Sequence, residues 1–224
     1  MLLKQKTKTK EPRVFALYTD TESSTKYIVT ELIEGDTLDT RWSRLTECQK
    51  RGIVSTLKGY FDELRSLPSP GYFGGIGKTG LLHRFFRTPQ TSRSMNGPLY
   101  SETALNEAVA SNFFAQSDYC SAPQVEFYRQ AQADFYRQAM SEVSCNHPPT
   151  FSHSDFQDKN IIVRQLPDHA DESQYEVTLI GWEVAGRCPS YWEYSVAMSN
   201  VTGNYDWDGR IEEIYDHSLP NVFG

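Results

Sequence analysis

The segment Phe151-Ser152-His153-Ser154-Asp155-Phe156-Gln157-Asp158-Lys159-Asn160-Ile161-Ile162-Val163 constrains this chain more than any other. It has the form H-x-D-x-x-x-x-N and runs into an apolar, β-branched stretch that reads as a strand. Phosphoryl transfer explains those residue types at that spacing. A carboxylate accepts or orients the proton of an attacking hydroxyl, and an amide oxygen five residues on reaches a metal held by phosphates. The histidine would brace the loop. Taken alone, Asp155 could be a turn residue and His153 a satisfied core histidine, so the rest of the chain must decide.

The surrounding sequence alternates strand pairs with helices. Residues 14–18 (VFALY) and 27–33 (YIVTELI), separated by a polar turn-like segment, predict a hairpin. Thr46 and Gln49 fit a capping box. Ile53, Leu57, Tyr60, Phe61 and Leu64 then form one apolar helical stripe, which Leu67-Pro68-Ser69-Pro70-Gly71 ends. Residues 71–100, rich in Gly, Pro, Ser and Thr, read as a long connection. Helices are expected at 101–116 and 123–143; the second carries FYRQA at 127–131 and again at 135–139, a local duplication. Ile161–Val163 and Val177–Ile180 predict a second hairpin, and aromatic-rich helices are expected at 189–200 and 207–216. The layout is α+β, mostly helical in its larger part.

Composition excludes several functions. The 224 residues are 38% hydrophobic and carry a formal net charge of −7, which suits a globular protein and argues against a nucleic-acid binder. No run approaches the roughly 18 apolar residues of a membrane span. Lys4, Lys6, Lys8, Lys10 and Arg13 read as a solvated, frayed N-terminus without the apolar core of a signal peptide. Cys48, Cys120, Cys145 and Cys188 are scattered and fit reduced thiols in a cytoplasmic protein. Cys145, His147 and His153 match no standard zinc spacing. Gly77-Lys78-Thr79 lacks the glycine a P-loop requires at position 72, where Tyr72 stands.

The second informative motif is Leu179-Ile180-Gly181-Trp182-Glu183-Val184-Ala185-Gly186, followed by Pro189-Ser190-Tyr191-Trp192-Glu193. With the first, it resembles the aminoglycoside phosphotransferase family, whose members carry H-G-D-x-x-x-x-N, then I-D-W-E-x-A-G and P-x-Y-W-E. Upstream, Pro12-Arg13-Val14 and Tyr27 to Leu38 resemble the last strands of the small lobe and the hinge that holds adenine. The resemblance runs from about Pro12 to beyond Trp192. It implies a protein-kinase-like fold, with residues 1–35 a partial small lobe and hinge and residues 36–224 a helical large lobe. It also implies ATP and Mg2+ as cofactors and a small-molecule hydroxyl as substrate. Residue by residue, Asp155 matches the catalytic base and His153 the loop histidine. Asn160 matches a magnesium ligand, and Thr30, Glu31, Leu32 and Ile33 match the adenine hinge. Trp182, Tyr191 and Trp192 read as core packing.

Ser154 stands where the family usually has Gly. Two further departures bear on activity. Gly181 stands where the family has its second metal-binding aspartate. The sequence ahead of Pro12 holds neither a glycine-rich phosphate loop nor an apolar strand with its lysine, so an N-terminally truncated, degenerate member is one expectation. Glu183, already part of the W-E pattern, reads as structural rather than as a substitute ligand. Three functions follow: a small-molecule O-kinase; an impaired relative serving as a binding module; and a receptor for cationic aminoglycosides built on Glu193, Asp206, Asp208, Glu212, Glu213 and Asp216. Such acidic clusters usually form a solvated helix face.

Overall fold

Apolar residues at helical spacing become the backbone of the first half of the molecule. In a computed structural model, which describes residues 7–86, 93–115, 131, 134–135, 137–140, 146–166, 175–200, 203 and 205–215, helix α2 spans Glu47–Arg65. It follows the short α1, Leu38–Arg41. The capping box forms: Thr46 N–H donates to Gln49 Oε1 at 2.9 Å and Gln49 N–H to Thr46 Oγ1 at 3.4 Å.

The chain divides into two units interleaved along the sequence. Met1–Leu64, Phe156–Gly181 and Asn200–Tyr215 form the first; Arg65–Asp155, Trp182–Ser199 and Asp216–Gly224 form the second.

In the first unit, strands β1 (Val14–Thr19) and β2 (Lys26–Thr30) pair antiparallel with an irregularity between Val14 and Ala16. β2 ends at Thr30, so the expected strand to residue 33 is shorter. Among the described residues neither face of this hairpin is covered: Phe15 is 62% and Tyr18 52% exposed. A three-stranded antiparallel sheet follows, in the order β3 (Asp36–Thr37), β6 (Ile161–Gln165), β7 (Tyr175–Leu179). Ile161, Val163, Val177 and Leu179 share one face and are all buried, and Thr178 on the other face is buried as well. Tyr60 on α2 donates its hydroxyl to Val177 O at 3.0 Å. Phe61 meets Phe156 edge-on at 4.9 Å and Tyr215 at 5.0 Å.

The second unit is built on a sheet in the order β4 (Gly74–Gly75), β8 (Gly186–Pro189), β5 (Pro149–Ser152). Phe73, Leu81, Phe86 and Leu99 pack in one core with Leu105, Cys188, Trp192 and Val196. Residues 71–100 are therefore more than a connection. They hold β4, a 3-10 turn over Arg84–Phe86 and helix α3 (Arg93–Asn96), and they supply core side chains. Gly77-Lys78-Thr79 lies in a tight turn closed by Gly75 N–H donating to Thr79 O at 2.9 Å. Helix α4 is Glu102–Ala115 and helix α5 is Trp192–Ser199; in the first unit helix α6 is Tyr205–Tyr215. The expected helix over 123–143 lies largely outside the described residues, though residues 134–135 and 137–140 are helical.

The N-terminal stretch corrects its own expectation from Lys8 onward. Lys8 N–H donates to the Glu63 carboxylate, Lys10 Nζ pairs with Glu176, and Lys10 O accepts Leu179 N–H at 3.0 Å. Thr9 is 5% exposed. Tertiary contacts hold this segment against α2 and β7 despite its charged composition. Among the described residues, no helix is long and apolar enough to cross a membrane.

Candidate functional site

The boundary between the units falls between Asp155 and Phe156 and again between Gly181 and Trp182. His153 and Asp155 belong to the second unit, Asn160 and Gly181 to the first.

In the second unit β5 pairs with β8 through Phe151 opposite Arg187 and Ser152 opposite Gly186, and this delivers the next three residues in fixed order. His153 and Ser154 are fully buried, while Asp155 is half-buried. His153 Nδ1 accepts the Asp155 backbone N–H at 3.2 Å, and its ring stands edge-on to Trp182 at 4.5 Å. That hydrogen bond assigns the proton of a neutral His153 to Nε2. Ser154 has φ +66°, in the left-handed region that favours glycine. Its N–H donates to both oxygens of Glu193, each at 3.2 Å. Glu193 is 2% exposed. Burial pushes its carboxyl up to about 7, although the N–H groups of Ser154 and His153 and the charge of Arg65 favour the ionised form. Cys188 Sγ lies 3.8 Å from Ser154 Oγ, and burial pushes its thiol up to about 12, away from the thiolate form.

In the first unit a 3-10 turn, Asp158–Asn160, leads into β6. Ile180 N–H donates to Asn160 O at 2.9 Å, which ties the end of β7 to that turn. Gly181 follows at φ +81°. A Cβ on it would stand 3.0 Å from Asn160 Cγ and Nδ2, so the amide packs against the glycine's α-carbon. Asp158 is 5% exposed; burial, then the charges of Asp39 and Asp208, raises its carboxyl.

Magnesium prefers octahedral oxygen ligation and usually takes one or two protein carboxylates besides phosphates and water. Asn160 offers one amide oxygen and Gly181 offers none. Among the described residues no group of three His, Cys, Asp or Glu could hold a metal ion. The side chains at these two positions do not fit a magnesium site of the expected kind.

The hinge segment lines a cavity of about 590 Å³. Glu31, Leu32, Ile33 and Glu34 form one wall, Thr7 to Glu11 (without Lys8) another, and Arg164, Glu176 and Thr178 of the β6–β7 hairpin a third. Thr30 ends β2 and does not line it. Glu31 N–H donates to Arg13 O at 2.7 Å, and Arg13 N–H to Glu31 Oε2 at 3.1 Å, so the segment is fixed at its start. Lys10, then Arg164, holds the Glu176 carboxyl below its ordinary range.

Three of the acidic residues considered from the sequence as a cation receptor are engaged by the chain's own groups. Glu193 is buried under the Asp155 loop. Asp206 pairs with Lys50 at 2.5 Å and accepts Trp42 Nε1–H at 3.0 Å, and Glu213 pairs with Arg210 at 2.9 Å. Asp216 lies outside the described residues. Sequence reasoning thus missed the position of Glu193. Its signal was the P-x-Y-W-E motif itself, an acid at the start of an apolar helix.

No protein-family model and no curated protein matches the chain. Solved structures do. The aminoglycoside phosphotransferase APH(4)-Ia matches with TM-score 0.57 and 15% identity, over 93% of this chain and 62% of that one. A thermostable mutant of it, in ternary complex with ADP and hygromycin B, matches with TM-score 0.54 and 15% identity over 93% and 60%. The GDP and kanamycin complex of APH(2'')-IIIa matches with TM-score 0.54 and 12% identity over 96% and 63%. The fold is that of these protein-kinase-like enzymes. This chain spans about three fifths of their length.

Proposed function

From an aminoglycoside-phosphotransferase fold, we propose that this chain is a relative of ATP-dependent small-molecule O-kinases that holds a purine nucleotide at its hinge but is impaired in phosphoryl transfer. One observation carries the reading: the Asn160 amide rests on Gly181, where a carboxylate would be needed for metal. Phosphoryl transfer depends mainly on charge stabilisation and positioning, so a site without that carboxylate loses its main anionic metal ligand. In this reading residues 1–35 supply part of the small lobe and hinge, and residues 36–224 the large lobe. Asp155 is the base that would take the proton of a substrate hydroxyl, and His153 holds its backbone. Asn160 is the remaining metal-loop residue, and Glu31 to Ile33 flank the nucleobase, with Thr30 just ahead of them at the end of β2.

The cavity's chemistry supports a nucleobase there. Its volume falls in the range of about 300–1,000 Å³ typical of small-molecule sites. Glu11, Glu31, Glu34 and Glu176 outnumber Lys10 and Arg164 in its walls, which suits the hydroxyls of a ribose and the amino group of a purine better than a string of phosphates. The neighbours' complexes contain ADP or GDP together with an aminoglycoside, which supports a nucleotide and a hydroxylated small molecule as ligands. The free thiols of Cys48 and Cys188 support a reducing, cytoplasmic setting. A non-catalytic interaction module is the second reading, and the uncovered β1–β2 hairpin favours it.

ADP release from ATP and magnesium, measured with hygromycin B and kanamycin as acceptors, tests the proposal. No turnover above the protein-free background is expected. Steady turnover that is abolished in Asp155→Asn would overturn the impaired reading and leave an active O-kinase.

A further inference from the structure

Strand β1 is an open edge. Among the described residues it pairs only with β2, and Val14 to Thr19 are all exposed. The ladder fixes which backbone groups face outward. Asp20 N–H donates to Thr25 O, and the same register sets Tyr18 opposite Tyr27 and Ala16 opposite Val29. Antiparallel bonding alternates along a strand, so Leu17 and Thr19 turn their N–H and C=O groups away from β2. Exposed edges of this kind are usually guarded by a lysine, another charge or a proline. β2 has such a guard: Lys26, opposite Thr19, faces its outer edge. β1 holds no charged residue and no proline from Val14 to Thr19, and its register shift lies before Ala16.

We propose that β1 is a self-association edge: two copies of this chain pair their β1 strands antiparallel about a two-fold axis at Tyr18, forming one four-stranded sheet. Nothing in this depends on a bound nucleotide.

Backbone, side chains and charge each select a second copy as the occupant. With Tyr18 opposite Tyr18 of the partner subunit, Leu17 meets the partner's Thr19 and Thr19 meets the partner's Leu17. These are the residues whose N–H and C=O groups face outward, and the same patch serves both copies, as a two-fold interface requires. Tyr18 and Tyr27 stack across the hairpin, with centroids 5.2 Å and planes 19° apart, yet Tyr18 stays 52% exposed. Neighbouring strands lie about 4.7–4.9 Å apart, so the partner's Tyr18 arrives at the spacing that continues the stack. Each copy carries a formal net charge of −7, and two such chains meet most readily through a neutral contact. β1 supplies one, and Asp20 beyond its end stands opposite the partner's Ala16. The outer strands of the joined sheet are then the two β2 strands, where Lys26 stops further growth. Edges this short bury less than the roughly 1,200–2,000 Å² of a stable interface, so the dimer is weak and depends on concentration.

Sedimentation velocity of the whole chain, from about 5 μM to about 500 μM, covers the range of a weak interface and tests this. The mass should rise from one chain towards two and no further, and added salt should favour the dimer by screening the net charge. Tyr18→Lys sets like charges face to face at the axis and should hold the protein at one chain throughout. Ile28→Lys, on β2 at a side chain 59% exposed, should leave the association in place. Hydrogen exchange of the natural chain covers the case in which Tyr18→Lys disturbs the hairpin. The Leu17 and Thr19 amides should exchange more slowly as concentration rises, and those of Lys26 and Ile28 should not. A mass of one chain at every concentration, growth beyond two chains, or a dimer that survives Tyr18→Lys would overturn the proposal. Loss of the dimer in Ile28→Lys, or edge amides that ignore concentration, would overturn it as well.

Discussion

The side-chain amide of Asn160 lies against the α-carbon of Gly181, where an added Cβ would stand 3.0 Å from its Cγ and Nδ2. Ile180 N–H on Asn160 O holds the two loops at that separation. The contact brings one residue of each sequence motif together, and neither of the two is a carboxylate. It also sets what restoring one would cost. Gly181 is at φ +81°, a region that costs a non-glycine residue about 1–2 kcal/mol, least for Asp and Asn. Gly181→Asp should therefore lower stability by about 1–2 kcal/mol and Gly181→Val by more, measured by urea denaturation. The Asp variant alone should make ATP-induced stabilisation depend on magnesium.

Ser154 reverses the usual ranking of glycine and alanine. In ordinary backbone, glycine costs about 0.5–1 kcal/mol relative to alanine. At φ +66° the order inverts, because alanine keeps the left-handed strain and glycine releases it. Ser154→Gly should be more stable than Ser154→Ala by about 1 kcal/mol in chemical denaturation. Equal stabilities would mean that the loop relaxes its backbone instead.

Glu193 ties stability to pH with a definite sign. Its folded carboxyl, near 7, lies above the ordinary value of 4.5, so the folded state binds the proton more tightly than the unfolded one. The stabilisation it contributes is fully present below the unfolded value and is lost as pH rises through about 7. Glu193→Gln, which carries no charge to bury, should gain on the natural chain as pH rises from about 5 to about 8, by about 1–3 kcal/mol. Parallel denaturation midpoints across that range would contradict this.

The capping box is the clearest local signal to reappear in the structure. Thr46→Ala removes the acceptor of the Gln49 N–H and should cost about 1 kcal/mol, read from thermal or urea unfolding.

What the sequence made legible was whatever has a period or a motif. The α2 stripe with its cap, and the hairpin expected from Ile161–Val163 and Val177–Ile180, appear where the sequence put them. The three-stranded sheet of the second unit was illegible because its strands carry no strand signature. β4 is two glycines, and β8 is Gly186-Arg187-Cys188-Pro189. They are strands because β8 sits between β4 and β5, a tertiary fact. Residues 71–100 looked like a connection because Phe73, Leu81, Phe86 and Leu99 follow turns rather than a repeat. Thr9 and Lys10 looked solvated because charge dominates their neighbours, yet Leu179 and Glu176 hold that segment. Glu193 was counted with surface acids, since composition cannot show that a backbone N–H waits for one of them. Among the hinge residues, Glu31, Leu32 and Ile33 share a cavity and Thr30 does not.

The most direct test of the central claim is calorimetric titration of the chain with ATP, once in EDTA and once with excess magnesium. A hinge that holds the base beside a metal loop lacking its carboxylate predicts binding in both, with dissociation constants within about twofold. Affinity more than about tenfold tighter with magnesium, some 1.4 kcal/mol, would contradict the account, and so would no binding in either buffer.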